Sequence, residues 1–390
     1  MSNLACDDYR YVIVGGGNAG VSAAQAIREI DKESPLIMIS DERDLPYRRP
    51  MLTKNFSLID SSDPYAMHPS KWYSDLNITM IHDRVLSIYP STHSLALSSG
   101  KSLSFGSLIL AVGAKCFIPP FKGVSGSNVV SIRKTDDVRK LVELLKNANS
   151  AAVIGGGVLG MEAAWEIRRM GKTVHVIEAS SSLMKRNLDN DASEMLLRQA
   201  ENNGVDIILN GKTSSIEASG IVLEDGRNVA CDVVIISCGI RPDVTLAEDA
   251  GIVVERAIVV DDHMRTNLLD IYACGDCAQF NGFSAGIWPV AGAMGKIAGC
   301  NAAGTDAVYS PKAYAVMMNA LGTGLYSAGS IASENLVFET VQNDSFWARM
   351  FFSSGEFCGF IMIGDTKKAF SLSPLLERKA SKDEVLAIVC

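Results

Sequence analysis

The sequence predicts an α/β protein, on two observations. One pattern of strand, glycine-rich turn, helix and strand occurs twice, about 140 residues apart, and a run of short strand-like segments with two helical stretches closes the chain. The first copy has an apolar run at 11–14, the turn Gly15, Gly16, Gly17, Asn18, Ala19, Gly20, a helix-like stretch at 19–30 and a second apolar run at 36–40. The second has 151–154, the turn Gly155, Gly156, Gly157, Val158, Leu159, Gly160, a helix-like stretch at 161–169 and a strand at 173–177. One such turn is weak evidence, because glycines punctuate ordinary loops. Its recurrence with every flanking element in order is much stronger.

The spacing of the glycines carries chemistry. The first of each turn, Gly15 or Gly155, permits a tight bend; the second, Gly17 or Gly157, lets the backbone approach a pyrophosphate; the third, Gly20 or Gly160, lets the helix pack closely on the strand. A pyrophosphate then rests on unpaired amides at a helix N-terminus, here those around Asn18 and Ala19 or Val158 and Leu159. Each second strand ends in acid, Asp41 and Glu42 in one copy and Glu178 in the other, where a carboxylate can accept hydrogen bonds from ribose hydroxyls. The alternative is a solvated acid at a strand end. Two bound dinucleotides are the reading, and Glu178, which would repel a 2′-phosphate, points to NADH rather than NADPH.

Composition narrows the class. A chain of 390 residues exceeds what one core organises, so two or three domains are expected. No apolar run reaches membrane-spanning length, and residues 1–10 are polar, with Asp7 and Asp8, unlike a signal peptide; a cytoplasmic location is expected. A net charge of −8 disfavours nucleic acid as a partner. The basic pairs Arg48 with Arg49, Arg133 with Lys134, Arg139 with Lys140, Arg168 with Arg169, Lys185 with Arg186 and Lys367 with Lys368 read mostly as solvated faces. Nine cysteines in such a chain read as reduced, buried small side chains. Cys274 and Cys277 have C-x-x-C spacing, open to a redox or metal reading, but no second such pair or histidine pair completes a site, and no metal is expected.

The stretch 266–276, ending Cys274, Gly275, Asp276, resembles the signature by which two-dinucleotide flavoproteins hold FAD. The resemblance implies that Asp276 reaches the ribitol chain. Segments 108–113 and 232–242, each read as a buried strand ending in glycine, are similar to the crossovers between an FAD domain and an inserted NAD domain. The implied fold is two nested Rossmann-like domains, FAD-binding at 1–113 and 235–308 and NADH-binding at 114–234, with a small α+β domain at 309–390. The same resemblance adds Val85, Ala111, Val112 and Gly113 to the FAD residues and Gly239 to the NADH residues.

Residues 45–54, Leu-Pro-Tyr-Arg-Arg-Pro-Met-Leu-Thr-Lys, resemble a segment of ferredoxin and rubredoxin reductases and of the flavin domain of nitrite reductase large subunits. By that resemblance Pro46 and Arg49 line the FAD, Lys54 approaches the flavin ring, and Glu162 pairs with Lys54; the plainer alternative for Glu162 is an acid favoured by its helix dipole. Disulfide-type relatives carry cysteine near this place, whereas this chain has Tyr47 and no cysteine between Cys6 and Cys116. Residues 287–290, with Trp288 and Val290, resemble the start of the helix that points at the flavin; Trp288 reads equally as a core aromatic, and Met294 replaces a longer polar residue.

In the closing region, strands are expected at 314–325, 326–330, 336–340, 346–352 and 359–363, with helices at 374–379 and 383–388. Residues 357–365 resemble the small C-terminal domain of NADH:rubredoxin reductases, and its shortness implies a monomer or weak homodimer. The implied activity is FAD-dependent transfer of electrons from NADH to a small redox protein, rubredoxin or ferredoxin-like. Two alternatives stand beside it: a flavin-only NADH oxidase or peroxidase, and a nucleotide-binding redox sensor switched by Cys274 and Cys277.

Overall fold

The computed structural model describes residues 7–61, 63–332 and 335–389, so the first six residues of the polar N-terminal segment lie outside the described chain. Two parallel sheets repeat one strand order. In the first, Ile78–His82, Leu36–Ser40, Asp7–Val14 and Ser102–Leu110 lie side by side; in the second, Val205–Ile208, Thr173–Ile177, Ser150–Ile154 and Val233–Ile236 do so, with Val129–Val130 beyond. Val12, Ile13, Ile37 and Met38, like Ala152, Val153, Val174 and Val176, are wholly buried. Central strands covered on both faces are accordingly unbroken apolar runs, as at 12–14, 36–39 and 151–154, whereas Thr173–Ile177 departs from that run at exposed Thr173 and half-buried His175.

The first sheet forks. The start of Ser102–Leu110 pairs antiparallel with Ser94–Leu97, which pairs with Val85–Tyr89, whereas its end pairs in parallel with Ile271–Ala273. A strand from beyond the second unit thus completes the first sheet, so the second unit is inserted within the first. The chain leaves along Ala114–Cys116 and returns along Ile240–Pro242, which pair antiparallel as a ribbon.

The crossover strands do not run on to glycine as their sequences imply, and the first starts well before residue 108. Ser102–Leu110 stops before Ala111, and the 232–242 stretch divides into Val233–Ile236 and Ile240–Pro242. The breaks fall at glycines in the left-handed region, Gly113 at φ 75° and Gly239 at φ 93°, where the backbone turns out of the sheet.

Helix Trp288–Ala302 lies flush against helix Asn18–Ile30. A Cβ on Gly295 would stand 2.1 Å from the Ala19 carbonyl oxygen, and one on Gly299 2.3 Å from that of Ala23. Glycines one turn apart let the two backbones touch, which explains the small-residue run at 291–303.

The C-terminal region is a five-stranded antiparallel sheet, ordered Ala315–Ala320, Thr323–Gly329, Glu356–Gly364, Phe346–Ser353, Val337–Gln342, with helices Ala369–Glu377 and Lys382–Val389. The 314–325 stretch is not one strand. Leu321 and Gly322, at φ 58° and 70°, make a two-residue turn between Ala320 and Thr323. The first closing helix starts at Ala369 rather than Pro374, and Pro374 sits inside it. Buried Ala369, Leu372 and Leu376 hold that helix together despite the backbone donor that proline lacks. Among the described residues, no helix is long and apolar enough to cross a membrane.

Candidate functional site

The two glycine turns are built alike, atom for atom. Gly15 donates to the Ile39 carbonyl and Gly155 to that of Ile177, both at 2.8 Å. Ala111 donates to Val14 and Ser237 to Ile154, again at 2.8 Å. Gly15 and Gly155 lie at φ 121° and 114°, and a Cβ on either would stand 2.1 Å from the Ala111 oxygen or 2.3 Å from the Ser237 oxygen. Gly20 and Gly160 are closed off too, with a Cβ meeting the Gly15 or Gly155 oxygen at 2.1 or 2.0 Å. Internal packing therefore requires the first and third glycines of each turn. Gly17 and Gly157 differ: a Cβ on either meets no atom within 4 Å.

That contrast tests whether the residues fit a dinucleotide. The middle glycine faces open space at the start of a long helix, with Gly17 and Gly157 as N-caps lacking any side-chain cap. Intrahelical bonding begins with Val21 to Gly17 and Met161 to Gly157, so the amides of 18–20 and 158–160 come before it. Open space over a positively polarised helix end suits a pyrophosphate. Pro46 closes one side of the first turn, its ring 3.6 Å from where a Cβ of Gly16 would lie.

The acids at the strand ends take different surroundings. Asp41 is partly exposed and accepts from Arg84 and Lys134, both at 2.9 Å. Burial alone would raise its pKa, but those two cations outweigh it and hold the carboxyl below its usual range. Glu42 turns inward, accepting from Tyr47 Oη at 2.5 Å and from the Arg49 guanidinium. Glu178 is held by backbone, accepting from the Gly156 amide at 2.8 Å and the Ser180 amide at 2.7 Å. Its carboxylate is thus fixed beside the second cradle.

One of the basic pairs, Arg133 with Lys134, closes the first cradle rather than forming a solvated face. Arg133 donates to Asp276 Oδ2 at 2.8 Å and to the Ala114 carbonyl at 2.9 Å, while Arg49 donates to the Arg133 carbonyl at 2.7 Å. Lys134 reaches Asp41, and the next helix is tied to the 41–54 segment through Thr135 and Arg139, which both bond Asp44. The only sequence signal was position, immediately before an acidic helix start at 136–137.

The segment at 49–54 then joins the two cradles. Lys54 Nζ pairs with Glu162 Oε1, and Thr53 Oγ1 donates to Glu162 Oε2 at 2.7 Å. Glu162 sits in the first turns of helix Val158–Arg169, two residues past Gly160, and is 2% exposed. Glu166, one turn further and also buried, has its pKa raised by burial, against the pull of Arg169.

The remaining expected residues divide. Asn18 Nδ2 donates to the Trp288 carbonyl at 2.6 Å, joining the first glycine helix to the start of Trp288–Ala302; the Trp288 ring is half-buried and Val290 is buried. Val112 and Gly113 line the turn after Ser102–Leu110. Val85 is buried in the core and opens the strand after Arg84. Cys274 and Cys277 are wholly buried free thiols. Cys277 donates to the Leu110 and Cys274 carbonyls, and burial pushes its thiol up to about 11. Among the described residues neither cysteine belongs to a cluster able to hold a metal.

Comparison with known proteins agrees with this architecture. The model of the pyridine nucleotide-disulphide oxidoreductase family matches residues 9–304. The chain is 30% identical over 382 residues to the NADH-rubredoxin oxidoreductase of Clostridium acetobutylicum, covering 97% of each chain. It is 28% identical to the nitrite reductase [NAD(P)H] of Bacillus subtilis, where 97% of this chain covers 48% of that protein. Among solved structures, a ferredoxin reductase from Rhodopseudomonas palustris superposes with a TM-score of 0.87 at 25% identity, covering 98% of this chain and 100% of that one.

Proposed function

The chain belongs to the pyridine nucleotide-disulphide oxidoreductase family, and from that premise we propose that it uses FAD to carry electrons from NADH to a small electron-transfer protein, rubredoxin before a ferredoxin. The observation that carries the reading is the short segment from Glu42 to Lys54, which lines the first cradle through Arg49 and reaches the second through Glu162. Two cradles joined at one place suit two cofactors that must meet.

Residues 1–113 and 235–308 would hold FAD and residues 114–234 NADH. At the first cradle, Gly17 and the amides after it would take the pyrophosphate, Asp41 or Glu42 the ribose, and Arg49, Arg133 and Asp276 the linker to the ring. At the second, Gly157 would take the pyrophosphate and Glu178 the adenosine ribose. Bound FAD supplies a ring that accepts two electrons from a nicotinamide and releases them singly.

This chain's own residues do the positioning. Glu162 neutralises Lys54 where an unpaired buried acid would be costly, and so sets the direction of the ammonium. The N-terminus of Trp288–Ala302 adds partial positive charge, which favours electron-rich groups. No cysteine stands in the 45–54 segment, so no thiol relay intervenes there, despite the family's description.

The NADH-rubredoxin oxidoreductase likeness over nearly the whole chain supports rubredoxin as acceptor. Anaerobic NADH should bleach the yellow protein, and a panel of rubredoxin, ferredoxin, flavodoxin and oxygen then identifies the acceptor. Fastest reoxidation by rubredoxin is the expected result. Fastest reoxidation by oxygen would instead make the protein an NADH oxidase.

A further inference from the structure

Glu162 is gripped from two sides by consecutive residues. Lys54 takes Oε1, and the Thr53 hydroxyl, only 3% exposed, takes Oε2 at 2.7 Å. Lys54 itself is more open, with its side chain 29% exposed, and among the described residues its ammonium has no hydrogen-bond or ion-pair partner besides Glu162. The lysine's direction therefore depends on one carboxylate, and the carboxylate's rotation depends on one hydroxyl.

We propose that Thr53 is a positioning residue for electron transfer from NADH: it fixes the Glu162 carboxylate so that Lys54 is presented to the meeting point of the two cradles. The proposal rests on the reductase reading above. A carboxylate with two oxygens and one long cationic partner can rotate about its terminal torsion, which is broad. A donor fixed to the backbone one residue away removes that freedom. Thr53 is suited to this task because its hydroxyl sits on Cβ, a single torsion from the backbone, and so is set by local structure rather than by a mobile chain. The 49–51 helical turn and the Lys54 amide bond to the Met51 carbonyl, at 3.1 Å, fix that backbone.

The test compares Thr53→Val, which keeps shape and removes the hydroxyl, with Thr53→Ser, which keeps the hydroxyl. Two quantities are measured. The first is trace acetylation of Lys54 in the protein as purified, read by peptide mass spectrometry; the second is stopped-flow flavin reduction by NADH. Thr53→Val should label faster at Lys54 and slow reduction about tenfold, a modest share of what an ångström of misplacement can cost, with the KM for NADH little changed. Thr53→Ser should restore both. In a Glu162→Ala background, Thr53→Val should add no further slowing, because the two act as one unit.

Wild-type labelling and rate in Thr53→Val would overturn the proposal. So would equal loss in Thr53→Ser, which would place the effect in the methyl group, or additive slowing with Glu162→Ala. If Thr53→Val does not accumulate as folded protein, Thr53→Ala carries the same comparison. Labelling reads the Lys54 and Glu162 contact whether or not electrons flow. Its failure refutes the role of Thr53, whereas wild-type protein that NADH cannot bleach refutes the reductase reading.

Discussion

Replacing Gly17 by alanine separates the fold from its ligand. The residue sits at φ −83° and ψ −176°, an extended conformation open to alanine, and its new Cβ would meet no atom within 4 Å. The flavin-free protein should therefore keep its stability or gain about 0.4–1 kcal/mol, because alanine restricts the unfolded chain. The methyl group would occupy the space over the helix amides instead. Losing one charge-assisted hydrogen bond to a phosphate costs about 1.5–3 kcal/mol, so FAD should bind roughly 10- to 150-fold more weakly. Gly20→Ala is the counter-case. Its Cβ would stand 2.1 Å from the Gly15 oxygen, and the resulting strain, about 1–3 kcal/mol, should lower the melting temperature of the flavin-free protein. The assays are thermal melting of flavin-free protein and FAD titration by fluorescence quenching. The reasoning fails if Gly17→Ala binds FAD as wild type does, or if it unfolds as readily as Gly20→Ala. Gly157, at φ −80° and ψ −179° with the same open surroundings, should repeat the result for NADH while flavin stays bound.

Glu178→Ala removes the acceptor for the Gly156 and Ser180 amides and the acid expected to meet a ribose hydroxyl. The preference for NADH over NADPH in kcat/KM should fall by about tenfold or more, and an unchanged ratio would place coenzyme discrimination elsewhere. Burial holds the Glu166 carboxyl above its ordinary 4.5, so the folded state binds the proton more tightly than the unfolded one. The stability this contributes is complete below that ordinary value and is lost as pH rises through the raised one. Glu166→Gln should flatten this decline in denaturant melts, and parallel pH profiles would contradict the burial argument. Cys274 and Cys277, buried with Cys277 shifted to about 11, should resist iodoacetamide at pH 8 in folded protein and react on unfolding; modification in the native state would restore the redox-sensor alternative.

What was legible in the sequence was everything carried by local geometry. Gly15 and Gly20, with their counterparts at 155 and 160, announce themselves because a tight turn and a flush helix each exclude a side chain at a fixed spacing, and Gly17 and Gly157 fall between them with open space where a Cβ would stand. The central apolar strands were equally plain, since burial on both faces favours an unbroken apolar run. The ends of elements were less so: Leu321 and Gly322 turn a hairpin inside one apolar run, and Pro374 sits within a helix, because packing overrode the local preference. Arg133 could not be read at all. Its partner Asp276 lies 143 residues away, and nothing in either neighbourhood marks the ion pair. The hydroxyl of Thr53 on Glu162, 109 residues off, is of the same kind. Strand, turn and helix depend on residues a few places apart, so sequence by itself determined the two cradles. The grip between them depends on which long-range surfaces the inserted unit brings together, and only the folded chain decided that.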